Sequence, residues 1–112
     1  MIEDVVFQNG VDIVIGAHLH NYERTYPVYQ ESAVQTNYSS PSAPVYAVVG
    51  TGGNKEGTQG NFQTPAPGWS VESSRLAEWG YVLMEADGAS SLQWQFISST
   101  TGEVMDEFTI TK

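Results

Sequence analysis

His18 and His20 are the only two histidines in the chain, and they stand one residue apart in Gly16-Ala17-His18-Leu19-His20-Asn21-Tyr22-Glu23-Arg24. Imidazole is the commonest side-chain metal donor, and residues two apart in an extended segment project to the same side. The spacing predicts two imidazoles facing one cavity, with Leu19 turned away into the core. Gly16 and Ala17 add small side chains that let the backbone bend toward an ion. The same pair serves equally well as rim residues bonded to water or backbone. Two neutral nitrogens fall short of the three or four protein ligands that hold zinc, and of the carboxylate-rich sets that hold ferric iron or manganese. Glu23 offers a third donor or, beside Arg24, half of a structural ion pair.

Such a segment needs elements to carry it. Ile2, Val5 and Val6 have helical spacing and Asn9-Gly10 reads as a left-handed stop, which predicts a short amphipathic helix. The β-branched run Val11–Gly16 then reads as a strand buried on both faces, as in a parallel α/β sheet, where ligand sites gather at the carboxyl ends of strands. Helix followed by buried strand is half of a βαβ unit, and the strand expected before the helix is not in this sequence. Tyr29 to Pro44 has the composition of a surface loop, and Val45–Gly50 resumes as a strand. Thr51 to Gly68 is dense in Gly and Pro, which predicts a long irregular loop of the kind that usually carries function. Tyr81–Glu85, Leu92–Phe96 and Val104–Ile110 alternate by two around turns at Asp87-Gly88 and Thr101-Gly102, an antiparallel meander.

Composition narrows the function. With 112 residues the chain is one small domain or a piece of a larger one, and 40% hydrophobic content with 12% aromatics is enough to build a core. Four basic residues against thirteen acidic ones give a net charge of −9, the wrong sign for a nucleic-acid backbone or an anionic membrane. Cysteine is absent, which removes disulfides, thiolate zinc sites and cysteine nucleophiles. No apolar run approaches the roughly 18 residues of a membrane span. Asn37-Tyr38-Ser39 fits the glycosylation acceptor pattern, which matters only in a secreted protein. Trp69, Trp79 and Trp94 read as core residues rather than a ligand platform. Thr51-Gly52-Gly53-Asn54 reads as a structural turn, because it lacks the lysine and helix that complete a phosphate loop.

The stretch Val11 to Arg24, with Ala17-His18-Leu19-His20 and Tyr22-Glu23-Arg24, resembles the last metal-binding block of the purple acid phosphatases within the metallophosphoesterase superfamily. Thr25-Tyr26-Pro27-Val28-Tyr29 continues the likeness, and Ala43–Gly57, Pro65–Ser70 and Trp79-Gly80-Tyr81 are similar to the family's C-terminal segment. The resemblance implies an α/β (α+β) fold: the C-terminal part of a β-sandwich flanked by helices, mostly antiparallel after a short helix and a buried strand. Residues 1–30 would close the calcineurin-like metallophosphoesterase domain and 31–112 would form the C-terminal segment of the same structural unit. It implies a dinuclear centre, Fe(III) with Fe(II), Zn or Mn, in which His18 binds the divalent ion and His20 the ferric ion. Asn21 and Tyr22 would support these ligands or approach the substrate, a phosphomonoester.

The family's earlier blocks supply aspartates, a tyrosine, an asparagine and another histidine, and none has a counterpart upstream of His18. The groups that protonate the leaving group are among them, so no general acid is expected in this chain. The expectation is a fragment, inactive alone and completed by a missing N-terminal part of the same protein, with secretion or a vacuolar location implied by the family only. Two rival readings stand beside it. One is a non-catalytic β-rich binding module that uses the Gly/Pro loop 50–69. The other is a mononuclear site of His18, His20 and Glu23.

Overall fold

A computed structural model describes residues 1–112. The helix α1 (Ile2–Gln8) has seven residues and, as its pattern predicts, stops at Asn9-Gly10, where Gly10 takes φ +63°. Strands β1 (Ile13–Gly16) and β2 (Tyr22–Arg24) follow, then a two-residue hairpin of β3 (Val28–Tyr29) and β4 (Ser32–Ala33), then β5 (Val45–Val49). After a long loop and a short 3-10 turn at Glu72–Ser74, the chain ends in β6 (Gly80–Asp87), β7 (Ser91–Ser98) and β8 (Val104–Thr111). Phe7 stacks on Tyr29 at 3.9 Å, and the Tyr29 hydroxyl donates to Asp4 at 2.9 Å, which holds α1 to the hairpin.

The first sheet has the order β1-β5-β2, with β1 parallel and β2 antiparallel to β5. This corrects one expectation. Ile15 is 52% exposed, so the β-branched run is not covered on both faces, and β1 is the edge strand of this sheet. The pattern records suitability for burial, whereas burial itself needs a layer packed over each face of the sheet. The polar Tyr29–Pro44 stretch is otherwise irregular as expected, and Asn37 within it is exposed.

The meander β6-β7-β8 forms as its alternation predicts, turning at Gly88 and Gly102 with φ +60° and +75°. Its inward residues Trp94, Phe96, Phe108 and Ile110 pack on Tyr22, Val45 and Ala47 of the first sheet, with the Tyr22 and Phe96 rings stacked at 4.2 Å. Each large apolar side chain so enclosed contributes roughly 1.5–3 kcal/mol. Trp94 is therefore core, while Trp69 and Trp79 are half-buried.

A polar network runs through this core. Arg24 donates to both oxygens of Asp106, Nε at 2.6 Å and Nη2 at 2.9 Å, with both side chains under a tenth exposed. The Tyr22 hydroxyl donates to Asp106 at 2.7 Å and accepts from Trp94 Nε1 at 2.9 Å. Arg24 also donates to the Tyr38 hydroxyl, which donates to the Thr25 carbonyl at 3.0 Å. The guanidinium lies 4.7 Å from the centre of the Phe108 ring. Opposed charge and well-formed hydrogen bonds together compensate the desolvation of both ions.

Burial, then the Asp106 carboxylate, drives the Tyr22 phenol far above its ordinary range, and burial pushes Tyr38 up to about 12. A raised folded pKa gives stability that is complete below the unfolded value near 10 and is lost as pH climbs through the folded value. Stability should therefore fall between about pH 10 and 12. Ultraviolet difference titration should show Tyr22 and Tyr38 ionising only as the fold is lost. Their ionisation with circular dichroism unchanged would contradict this.

Candidate metal centre

β1 ends at Gly16, and the next residues bend instead of continuing as a strand. His18 has φ +89°, a left-handed value that costs a non-glycine residue roughly 1–3 kcal/mol and is commonest where function holds it. The extended backbone expected for this segment is therefore not formed at His18. The turn at His18 breaks the alternation, and Leu19 is 52% exposed rather than in the core. His18 itself is exposed, and His20 is half-buried with its side chain 23% exposed.

The backbone of this bend is held from two sides. The Gly50 N–H, just past β5, donates to the Asn21 carbonyl at 3.0 Å. A Cβ on Gly50 would lie 1.7 Å from the Leu19 carbonyl oxygen, so the approach requires glycine. From the other side, the His20 N–H donates to Gln59 Oε1 at 2.8 Å, and the Gln59 N–H donates to the His20 carbonyl at 2.8 Å.

The donor chemistry is incomplete in a specific way. His20 Nδ1 is buried without a hydrogen-bond partner, and its nearest acidic oxygen, Glu56 Oε2, stands 3.7 Å away. A buried imidazole nitrogen that has lost water and gained no partner is poised for a metal or another donor. No group of three or more His, Asp or Glu side chains is placed to hold an ion. Glu23 does not join the histidines; it accepts from the Ser70 hydroxyl and lies 3.4 Å from Arg75 Nε. The mononuclear arrangement is therefore not formed.

Tyr22 is fully enclosed and bonded to Asp106 and Trp94, so it supports the bend by packing. Asn21 is 6% exposed, its Oδ1 is buried without a partner, and it borders a cleft of about 140 Å³ with Leu19, Phe62 and Trp69. In the Gly/Pro loop, Thr51 is buried and exchanges hydrogen bonds with Gly80, and Asn54 Oδ1 accepts from the Glu56 N–H at 2.7 Å. Thr51–Asn54 is thus tied down by bonds within the chain, and the turn itself falls next, at Lys55-Glu56.

Three residues that matter here lie outside the site read from the sequence, and two of them carry a local signal. Asp106 shares a face with Phe108 by strand alternation, so an inward carboxylate was signalled. Gly50 at a strand end hints at a close approach. Gln59, in an irregular loop, carries no signal.

Residues 43–107 match the family described as iron/zinc purple acid phosphatase-like protein C. The chain is 36% identical over 104 residues to a nucleotide pyrophosphatase/phosphodiesterase of Hordeum vulgare, covering 89% of this chain and 27% of that protein. It is 38% identical over 106 residues to "Probable inactive purple acid phosphatase 1" of Arabidopsis thaliana, covering 91% of this chain and 16% of that protein. Among solved structures, a purple acid phosphatase from yellow lupin (Lupinus luteus) seeds aligns with a TM-score of 0.87 and 31% identity, covering 98% of this chain and 19% of that one. The mixed α/β architecture, mostly antiparallel after one short helix, is shared with that structure. The chain spans 16% to 27% of the length of these proteins.

Proposed function

The chain belongs to the iron/zinc purple acid phosphatase-like protein C family, and on that premise we propose that it supplies His18 and His20 to the dinuclear metal centre of a longer phosphatase. The observation that carries this is the buried, unpartnered Nδ1 of His20 on a strained bend at the carboxyl end of β1. Two imidazoles without a third donor fit places in a shared centre and cannot make one alone. The remaining donors come from sequence outside these residues. We assign His18 to the divalent ion, iron, zinc or manganese, and His20 to the ferric ion.

When bound, such a pair of ions supplies Lewis acidity toward water and the phosphoryl group of a phosphomonoester. The chain's own residues hold the imidazoles in place. Gly50 and Gln59 grip the backbone of the bend, and Tyr22 and Arg24 tie the following strand to the meander. With both histidines given to metal, neither protonates the leaving group, and that role falls outside this chain. Residues 1–30 and 31–112 act as one unit, because β5 of the second part lies between β1 and β2 of the first. The rival binding-module reading is disfavoured by where the Gly/Pro loop directs its polar groups: Gln59 bonds His20, and Gln63 accepts from Arg75, both inside the chain.

The test is His18→Ala and His20→Ala in the full-length protein, with metal content and hydrolysis measured. Each variant should bind one ion at least about 100-fold more weakly, because losing a ligand outweighs the loss of a group that only orients one, and hydrolyse phosphomonoesters correspondingly more slowly. Hydrolysis should be assayed beside a nucleotide pyrophosphate and a phosphodiester, the substrates named for the barley relative. Wild-type metal content in both variants would remove the basis of the proposal.

A further inference from the structure

We propose that Gln59 is the positioning residue for His20, an inference that rests on the metal role assigned to that histidine. Gln59 takes both peptide groups of His20, accepting the N–H on Oε1 and donating its own N–H to the carbonyl, each at 2.8 Å. The pairing copies one rung of an antiparallel ladder in which a side chain replaces half of the partner strand. Gly50 closes the other side through its bond to the Asn21 carbonyl at 3.0 Å and its contact with Leu19. With the backbone held on both sides, the imidazole's position is set by its two side-chain torsions alone.

The loop that carries Gln59 is itself anchored. Asn54 closes its first turn by accepting from the Glu56 N–H at 2.7 Å, and Arg75 lies 4.9 Å over the Phe62 ring while donating to the Gln63 carbonyl. An irregular segment fixed before and after one residue, with that residue bonded only to the backbone of a metal-capable histidine, is a brace. This gives the Gly/Pro loop a function that its composition does not state. Groups that orient a ligand from outside the coordination sphere typically alter metal affinity by about 10–100-fold.

The experiment uses the full-length protein with Gln59→Met, which keeps length and removes the acceptor, and Gln59→Glu, which keeps an acceptor. Chelator competition should show Q59M about tenfold or more weaker for the ion on His20, with Q59E close to wild type. Hydrogen–deuterium exchange of the peptide spanning His20 should quicken in Q59M and not in Q59E. Wild-type affinity in Q59M, or equal losses in both variants, overturns the role. If the wild-type protein binds no metal, the proposed function fails, and the exchange comparison still decides whether Gln59 braces His20.

Discussion

Replacing Asp106 by Ala should cost about 3–5 kcal/mol of folding stability, the range for removing one partner of a buried ion pair. The loss exceeds that of the carboxylate's own contacts. Arg24 keeps its charge in an enclosed site under a tenth exposed, and the Tyr22 hydroxyl loses its acceptor. Asp106→Asn, which retains an acceptor for Tyr22 but no charge for Arg24, should cost less. The double variant Arg24→Met, Asp106→Leu should recover the part of the loss that comes from the unpaired Arg24 charge, because well-packed apolar residues replace a buried pair at little net cost, while the Tyr22 hydroxyl still lacks its acceptor. Urea unfolding followed by tryptophan fluorescence checks all three, since Trp94 sits in the network. An Asp106→Ala variant within about 1 kcal/mol of wild type would show that water or a local shift rescues Arg24.

Gly50→Ala should displace the whole segment from His18 to Asn21 and, on the proposed metal role of the two histidines, lower the metal content of the full-length protein while the meander stays folded. The added carbon would stand 1.7 Å from the Leu19 oxygen and 2.8 Å from its carbonyl carbon, both backbone atoms that no rotamer change can move. The Asn21 carbonyl would lose its donor in the same shift. Overpacking of this kind typically costs about 1–3 kcal/mol, so the fold should survive and the centre should not. Gly16→Ala is the control, because nothing lies within 4 Å of its Cβ position and its φ is not positive. Metal content in the full-length protein, with far-ultraviolet circular dichroism, separates the two. Equal metal content in Gly50→Ala and Gly16→Ala would show that the segment tolerates displacement.

Periodicity and turn chemistry made α1, β1, β5 and the meander legible in the sequence, along with the place of His18 and His20 after the first strand. These features depend on neighbours along the chain: β-branched runs, alternation by two, and glycine after Asn or Asp at a turn. The same reasoning failed at Leu19, which is 52% exposed, because it assumed extended backbone through His18, where φ is +89°.

The residues alone establish a chemical capacity: two imidazoles after a strand, no thiolate, a strong negative charge, and a family resemblance carried by the residues around those histidines. It takes the packed fold to send Glu23 to Ser70 and Arg75, to commit Tyr22 and Arg24 to the core, and to set Gln59 and Gly50 against the bend. The reason is distance along the chain. Gln59 and His20 are 39 residues apart and Arg24 and Asp106 are 82 apart, so such pairings leave no periodic trace and arise only when the sheets close on one another.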